Sequence, residues 1–246
     1  MLEVYSRDAG SLQNRDSLVG FARRRVDARP TQNTGSLRLA HAGPAGSFVK
    51  RTVDILGAAA MLLALAPVML ILALLVRLDG GPALFRHSRI GAGGRTFRCL
   101  KFRSMCLDAD KRLQELLERD PEARAEWERD YKLRNDPRIT SVGRFLRQTS
   151  LDELPQLFNV LAGTMSLVGP RPIVRGELPR YGTAIQEYLR CRPGITGLWQ
   201  TSGRNDVDYA KRVDLDCRYA RTWSLKQDIV ILFRTVGVVL KQSGAY

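Results

Sequence analysis

Residues 149–157 read Thr149-Ser150-Leu151-Asp152-Glu153-Leu154-Pro155-Gln156-Leu157, and this stretch is the centre of the predicted fold. Proline is tolerated best in the first turn of a helix, so Pro155 predicts that a helix begins just before it. Asp152 and Glu153 would then lie at the positive end of that helix, which favours ionised carboxylates and suits a phosphate or a metal–phosphate pair. A second interpretation stays open, because Ser150 and Glu153 also have the spacing of a capping box, which needs no chemistry.

Two rigid turns that follow this stretch are candidates for binding phosphate and nucleotide. The first is Gly169-Pro170-Arg171-Pro172, where two prolines fix the backbone around one guanidinium, as suits bidentate phosphate recognition. The second contains Pro193, Gly194, Thr196 and Gly197, which together could hold a nucleotide. Both segments are also compatible with ordinary turns, which glycine and proline commonly form.

The charge balance predicts an anionic partner. The 246 residues include 39 Lys and Arg against 25 Asp and Glu, which gives a formal net charge of +14. Phosphorylated substrates and acidic lipid surfaces fit this balance. Nucleic acid fits only the charge, since the chain has no nucleic-acid recognition motif and contains a long apolar run. The four cysteines form no C-x-x-C pair and the two histidines complete no zinc motif, so we interpret the cysteines as reduced thiols.

One segment predicts association with a membrane. Residues 55–76 carry no charge and are long enough to reach across the hydrocarbon core of a bilayer. A proline near the middle of this run predicts a break in the helix, and basic residues flank both ends. Because positive residues stay on the cytoplasmic side, the pattern favours a re-entrant helix bent at Ala66-Pro67, with both ends in the cytosol, over a straight span. Asp54 is expected to pair, at the level of the head groups, with one of the basic residues just before it.

The remaining pattern predicts an α+β fold that is mostly helical. Apolar and aromatic residues on either side of the glycine-rich segment 91–94 predict two short strands, a small β element. A charged helical segment over 108–131 is expected to break at Asp120-Pro121. A final apolar helix is predicted over 229–240, where it could lie in the membrane interface or pack on the core.

With these features in place, the chain resembles the bacterial sugar transferases, also called monotopic phosphoglycosyl transferases or polyprenyl-phosphate hexose-1-phosphate transferases. Its spacing is most similar to members that initiate exopolysaccharide synthesis, such as the succinoglycan-type galactosyl-phosphate transferases. Small members of the family often carry Ser-Pro at the helix break, where this chain has Ala66-Pro67. The matching segments occur in order and are Lys50-Arg51-x-x-Asp54, Arg89-Ile90-Gly91, Lys101-Phe102-Arg103-Ser104-Met105, Leu151-Asp152-Glu153-Leu154-Pro155-Gln156-Leu157, Gly169-Pro170-Arg171-Pro172 and Arg192-Pro193-Gly194-Ile195-Thr196-Gly197.

The resemblance implies transfer of a hexose-1-phosphate from a UDP-sugar to polyprenyl (undecaprenyl) phosphate, with release of UMP. In this family the first residue of the Asp-Glu pair, here Asp152, attacks phosphorus and forms a covalent phosphosugar–aspartyl intermediate, which Glu153 supports. The same two carboxylates are the implied ligands of the implied cofactor, Mg²⁺. Arg147 and Arg171 match phosphate-binding arginines of the family, and Lys101 is a weaker candidate for the same region. The position at a helix N-terminus is expected to keep Asp152 ionised.

The implied location is the bacterial inner membrane, with the catalytic domain on the cytoplasmic face. The implied partners are a UDP-sugar, polyprenyl phosphate and anionic lipids, with galactose the first choice of sugar and glucose the second. An alternative is a catalytically inactive, membrane-anchored protein that recruits polysaccharide assembly partners. The predicted division is a flexible basic tail (1–47), a re-entrant membrane helix (48–78) and a cytosolic catalytic domain with interfacial helices (79–246).

Overall fold

The computed structural model describes residues 44–130, 133–203 and 208–240, and this part of the chain is mostly helical with two small sheets. The predicted α+β class, dominated by helices, is therefore confirmed. The helices and strands, numbered in chain order, are α1 (Phe48–Arg77), β1 (Leu84–Ile90), β2 (Thr96–Phe102), α2 (Ala109–Arg119), α3 (Pro121–Asp130), α4 (Ser141–Thr149), α5 (Gln156–Leu161), β3 (Ser166–Val168), α6 (Leu178–Tyr181), α7 (Ile185–Leu189), β4 (Gly194–Thr196), α8 (Tyr209–Thr222) and α9 (Leu225–Leu240).

The first described residues were assigned to the tail, yet they contact the rest of the molecule. Pro44–Gly46 forms a 3₁₀ turn, and the N–H of Ala45 donates to the carbonyl of Arg190 at 3.3 Å. Arg192 in turn donates to the carbonyl of Ala45 at 2.6 Å. Structure therefore begins before residue 48. The rest of the predicted tail, residues 1–43, lies outside the described residues.

Strands β1 and β2 form the predicted hairpin. They pair antiparallel from Leu84 opposite Phe102 to Ile90 opposite Thr96. The turn between them includes Gly93 and Gly94 at positive φ of 65° and 78°, which glycine adopts without steric cost. The sequence did not predict the second sheet, in which the three-residue strands β3 and β4 pair in parallel.

Helix α1 begins after a cap at Ser47, whose hydroxyl accepts from the N–H of Lys50 at 3.2 Å. The helix then continues through Pro67 to Arg77. The helix is therefore not broken at Pro67, whereas a bend of the continuous helix at Ala66-Pro67 stays a prediction. Packing of α1 on both sides of Pro67 stabilises the helix where the proline removes a backbone hydrogen bond. Ala58 packs in one buried apolar cluster, and Met69 joins a second cluster with Leu146.

Both ends of α1 are attached to the same domain. At the first end, Arg51 donates to the carbonyl of Val160 at 2.6 Å. At the second end, Arg103 donates to the carbonyl of Val76 at 2.9 Å and pairs with Asp79 just beyond the helix. The same domain therefore holds both ends of the helix.

The polar residues near the start of α1 point into the domain, which corrects the expected pairing of Asp54 with a neighbouring basic residue. Lys50 contacts Asp228 of α9 at 2.6 Å. Asp54 accepts from the hydroxyl of Ser166 at 2.9 Å and from the N–H of Leu167 at 3.0 Å. Lys50 and Asp54 are both buried. The burial of these charges is tolerated because strand β3 and helix α9 supply their hydrogen-bond partners.

Two predicted helical features are confirmed. The charged segment divides between α2 and α3 at Asp120, whose carboxylate accepts from the N–H groups of Glu122 and Ala123 at 2.9 and 3.0 Å. The final apolar helix is α9, which begins slightly earlier than expected, at Leu225.

Candidate active site

The Asp-Glu pair lies in a short 3₁₀ turn, Leu151–Glu153, between α4 and α5. Ser150 has φ 58° and its N–H donates to the carbonyl of Arg147, so it closes α4 in a left-handed conformation. Its side chain caps no backbone group of the 3₁₀ turn that follows, and the capping-box interpretation is therefore wrong. Helix α5 begins at Gln156, directly after Pro155 rather than just before it, and Asp152 belongs to the 3₁₀ turn that precedes this helix.

Lys101 joins the two carboxylates. This side chain projects from β2, and its Nζ lies 3.2 Å from Oδ2 of Asp152 and 2.7 Å from Oε1 of Glu153. Asp152 is buried, with 8% of its surface exposed, while Glu153 is half-buried. The weaker phosphate-binding candidate of the sequence analysis is thus the residue that touches the pair directly.

Burial and charge act against each other at Asp152. Burial raises the pKa of this carboxyl, Lys101 and Arg147 lower it, and the adjacent Glu153 raises it again. The net direction is upward, opposite to the effect that a helix N-terminus alone has on a carboxyl, and the ionised state expected of Asp152 stays a prediction. Burial tends to lower the pKa of Lys101, but the two carboxylates outweigh it and the pKa is raised. A carboxylate with a raised pKa is a better nucleophile once it is ionised.

One cavity of about 1080 Å³ brings the predicted site residues together. It is lined by Lys101, Arg147, Asp152, Glu153 and Arg171. A cavity in which cations surround two carboxylates suits a phosphorylated substrate and a carboxylate nucleophile, because the cations offset the negative charge on both.

The two arginines are held by different contacts. Arg147 on α4 donates from Nε to the hydroxyl of Ser104 at 2.9 Å. Arg171 lies over the ring of Trp199 at 5.6 Å, and Arg212 lies over the same ring at 4.2 Å. Stacking on an aromatic ring fixes the direction of a guanidinium, as the prolines on either side of Arg171 also do. Ser104, Trp199 and Arg212 were not predicted as supports, because their partners come from distant segments of the chain.

The residues of the predicted nucleotide-binding turn lie in two environments, the cavity wall and the packed protein interior. Thr196 lines the cavity and exchanges a hydrogen bond with Thr235 at 2.7 Å. Gly194 and Gly197 have another evident reason to be glycine, since a side chain at either position would collide with the backbone of Gly169. Pro193, Gly194 and Gly197 are not among the described residues that line this cavity. A direct role of this turn in nucleotide binding stays a prediction.

Arg89 of β1 also lines the cavity. Its Nη1 donates to the carbonyl of Pro172 at 3.1 Å and lies 3.9 Å from Glu177. The sequence signal for the position of Arg89 is the alternation of side chains along β1, because every second residue of a strand faces the same side. Arg89 is thereby placed beside the loop that carries Arg171.

Comparison with known proteins identifies the family that the sequence motifs resemble. The family model described as bacterial sugar transferase matches residues 45–242. The undecaprenyl-phosphate galactose phosphotransferase of Salmonella typhimurium is 58% identical over 199 residues, which cover 81% of this chain and 42% of that protein. The UDP-glucose:undecaprenyl-phosphate glucose-1-phosphate transferase of Escherichia coli is 41% identical over 209 residues, with the same two coverages.

A relative of similar length is also matched. The exopolysaccharide production protein ExoY of Sinorhizobium fredii is 50% identical over 216 residues, which cover 87% of this chain and 93% of that protein. The chain spans 42% of the length of three relatives to which it is 55–58% identical, so it corresponds to one part of those longer proteins. The match over most of its length shows that the chain belongs to the bacterial sugar transferase family.

Proposed function

We propose that the protein transfers a hexose-1-phosphate from a UDP-sugar to undecaprenyl phosphate or a related polyprenyl phosphate and releases UMP, in the first membrane step of exopolysaccharide synthesis. The observation that carries the proposal is the contact of Lys101 with both Asp152 and Glu153, inside a cavity that Arg147 and Arg171 also line. The names of the relatives support galactose or glucose as the sugar. Galactose is the first choice, because the galactose phosphotransferase has the higher identity.

Two displacements at one phosphorus atom account for the reaction. An oxygen of Asp152 attacks the phosphorus that bears the hexose, and the bond from this phosphorus to the oxygen of UMP breaks. The hexose phosphate is then joined covalently to Asp152. An oxygen of polyprenyl phosphate attacks the same phosphorus, the bond to Asp152 breaks, and the carboxylate is restored. Lys101, Arg147 and Arg171 supply fixed positive charge for the phosphate oxygens during both displacements.

The donor atoms fit the implied Mg²⁺. Mg²⁺ commonly takes one or two carboxylates from a protein and completes its coordination with phosphate oxygens and water. Asp152 and Glu153 would hold it, since both carboxylates line the cavity. When bound, Mg²⁺ neutralises phosphate charge and stabilises the departing UMP. Lys101, which contacts both carboxylates, keeps them side by side.

The attachment of both ends of α1 to one domain supports a monotopic arrangement, which we propose lies on the cytoplasmic face of the inner membrane. Helix α1 is long and apolar enough to cross a bilayer, yet Arg51 and Arg103 tie its two ends to the same domain. A stripe of apolar side chains on α1 is exposed, as is one face of α9, so both helices could enter a single leaflet. The exposed residues are Leu56, Leu63, Leu70 and Leu74 on α1, and Ile229, Val230, Phe233 and Val236 on α9.

Release of UMP tests the chemistry. Wild type, incubated with UDP-galactose or UDP-glucose, polyprenyl phosphate and Mg²⁺, should release UMP. Asp152→Asn should reduce the rate by at least about a thousandfold, because it removes the nucleophile. Asp214→Asn is the matched control, since Asp214 is an exposed carboxylate on α8 that pairs only with Lys211 at 3.1 Å among the described contacts. Equal release of UMP by wild type and Asp152→Asn would overturn nucleophilic attack by Asp152, and no release by either protein would favour a recruitment protein.

Cysteine labelling tests the topology. Phe48 and Leu78 are 82% and 79% exposed at the two ends of α1, so Phe48→Cys and Leu78→Cys report on them. In intact cells a membrane-impermeant maleimide should label neither position beyond the background of the native cysteines. After the cells are permeabilised, it should label both. Labelling of one end alone in intact cells would mean that α1 crosses the membrane.

A further inference from the structure

Alternate residues of β1 form part of the cavity wall. Phe85, His87 and Arg89 all line the cavity, as Cys99 and Lys101 of β2 do. This is the alternation expected of a hairpin with one face toward a ligand. Lys101 already has a place beside the phosphates, and Arg89 lies beside the loop that carries Arg171. Phe85 and His87 have no part in the proposed displacements.

The register of the hairpin places Phe85 and His87 next to the reacting carboxylates. Phe85 is directly opposite Lys101, and His87 is opposite Cys99. Opposite residues in an antiparallel pair have Cβ atoms about 5 Å apart, and diagonal residues about 7–8 Å apart. Lys101 touches Asp152, so Phe85 and His87 share a strand face and a cavity wall with the side chain that contacts the reacting carboxylate.

The two side chains offer an apolar surface and a polar atom together. Phe85 is 50% exposed, and its ring lies 6.0 Å from the ring of His87 at an interplanar angle of 30°. Nδ1 of His87 is buried and has no hydrogen-bond partner among the residues that the structure describes. Burial and the neighbouring Arg89 and Lys101 lower the pKa of His87, so the ring is neutral, with one donor and one acceptor.

We infer that Phe85 and His87 form the subsite for the hexose of the donor, an inference that rests on the proposed function. Phe85 would pack against the carbon face of the sugar ring, and His87 would exchange a hydrogen bond with a ring hydroxyl. One oxygen atom joins the hexose to the phosphorus that Asp152 attacks, whereas a second phosphate and a ribose separate the uracil from it. The isoprenoid chain of the acceptor has no polar atoms that would need the imidazole.

The test separates the hexose from the rest of the donor. His87→Ala should lower kcat/KM for UDP-galactose and UDP-glucose by about tenfold, the value of one hydrogen bond of roughly 1.4 kcal/mol. His87→Gln, which moves the hydrogen-bonding atoms, should change the ratio of the two values by several-fold. The inhibition constant of UMP and the KM for polyprenyl phosphate should stay within about twofold of wild type, because neither molecule contains the hexose.

Phe85→Ala and Ser88→Ala complete the set. Phe85→Ala should lower kcat/KM for both donors without weakening inhibition by UMP. Ser88→Ala, an exposed change on the opposite face of β1, should leave all these constants unchanged. Unaltered inhibition by UMP also reports that a variant retains a folded site.

Three results would overturn the inference. The first is inhibition by UMP that weakens in parallel with the donor, which would place His87 at the nucleotide or a phosphate. The second is a raised KM for polyprenyl phosphate with unchanged donor constants, which would place the pair at the lipid. The third is donor constants that do not change in either His87 variant. Failure of wild type to release UMP from any UDP-hexose would instead contradict the proposed function itself.

Discussion

Replacement of Lys50 by Met tests the buried attachment of the membrane helix to the catalytic domain. Lys50 and Asp228 are 3% and 4% exposed, and the two charged atoms lie 2.6 Å apart. The ammonium group also donates to the carbonyl of Val168 at 3.0 Å. Lys50→Met therefore leaves the carboxylate of Asp228 buried without its only charged partner among the described contacts.

The expected loss is large. Breaking a buried ion pair by removing one partner costs about 3–5 kcal/mol, because the remaining charge is uncompensated. Asp228 retains hydrogen bonds from Tyr219 at 2.8 Å and Trp223 at 3.0 Å, which moderates the loss toward the lower end of that range. For a domain of this size, each kcal/mol lowers the melting temperature by about 2–4 °C, so a decrease of roughly 6–12 °C is expected.

The assay is thermal unfolding of the full chain in detergent micelles, followed by near-ultraviolet circular dichroism. Lys226→Met is the matched control, since Lys226 is exposed on the same helix as Asp228 and should change stability by less than about 0.5 kcal/mol. The double variant Lys50→Met, Asp228→Asn should recover part of the loss, because no buried charge is then left unpaired. A Lys50→Met protein that unfolds within about 2 °C of wild type would refute the reasoning.

Three further predictions concern single side chains. Lys101→Met should move the acidic limb of the kcat/KM profile to higher pH, because Lys101 lowers the pKa of Asp152 against burial; a limb that stays in place or moves to lower pH would contradict this. Burial raises the pKa of Asp216 to about 7, so the folded state retains a proton that the unfolded state loses near pH 4, and stability should fall as pH rises between those values. Asp216→Asn should remove up to about 4 kcal/mol of that dependence in denaturant titrations at pH 4 and pH 8, and an unchanged difference would count against the buried carboxyl. Ser150→Gly should raise the free energy of unfolding by up to about 1 kcal/mol by relieving the positive φ of Ser150, whereas a loss would restore the capping-box interpretation.

Local patterns in the sequence predicted the parts of the fold that depend on neighbouring residues. The glycines at 91–94 predicted the hairpin, and Asp120-Pro121 predicted the division between α2 and α3. In each case the backbone preference of one or two residues decides the structure, and no distant contact opposes it. Pro155 likewise marked the start of α5.

The features that the sequence did not predict depend on contacts between residues that are far apart in the chain. Lys50 and Asp228 are 178 residues apart, so no local spacing shows that they pair. Lys101 and Asp152 are 51 residues apart, and only the fold shows that Lys101 joins the two carboxylates. The direction of the pKa shift at Asp152 follows from burial, which the expectation based on helix position did not include.

The most direct test of the central claim is mass spectrometry of the enzyme after incubation with a UDP-hexose and Mg²⁺ in the absence of polyprenyl phosphate. A peptide that contains Asp152 should gain the mass of one hexose phosphate, and this mass should disappear when polyprenyl phosphate is added. Asp152→Asn should show no such gain. Release of UMP with an unmodified Asp152 peptide, or an adduct on another residue, would contradict nucleophilic attack by Asp152.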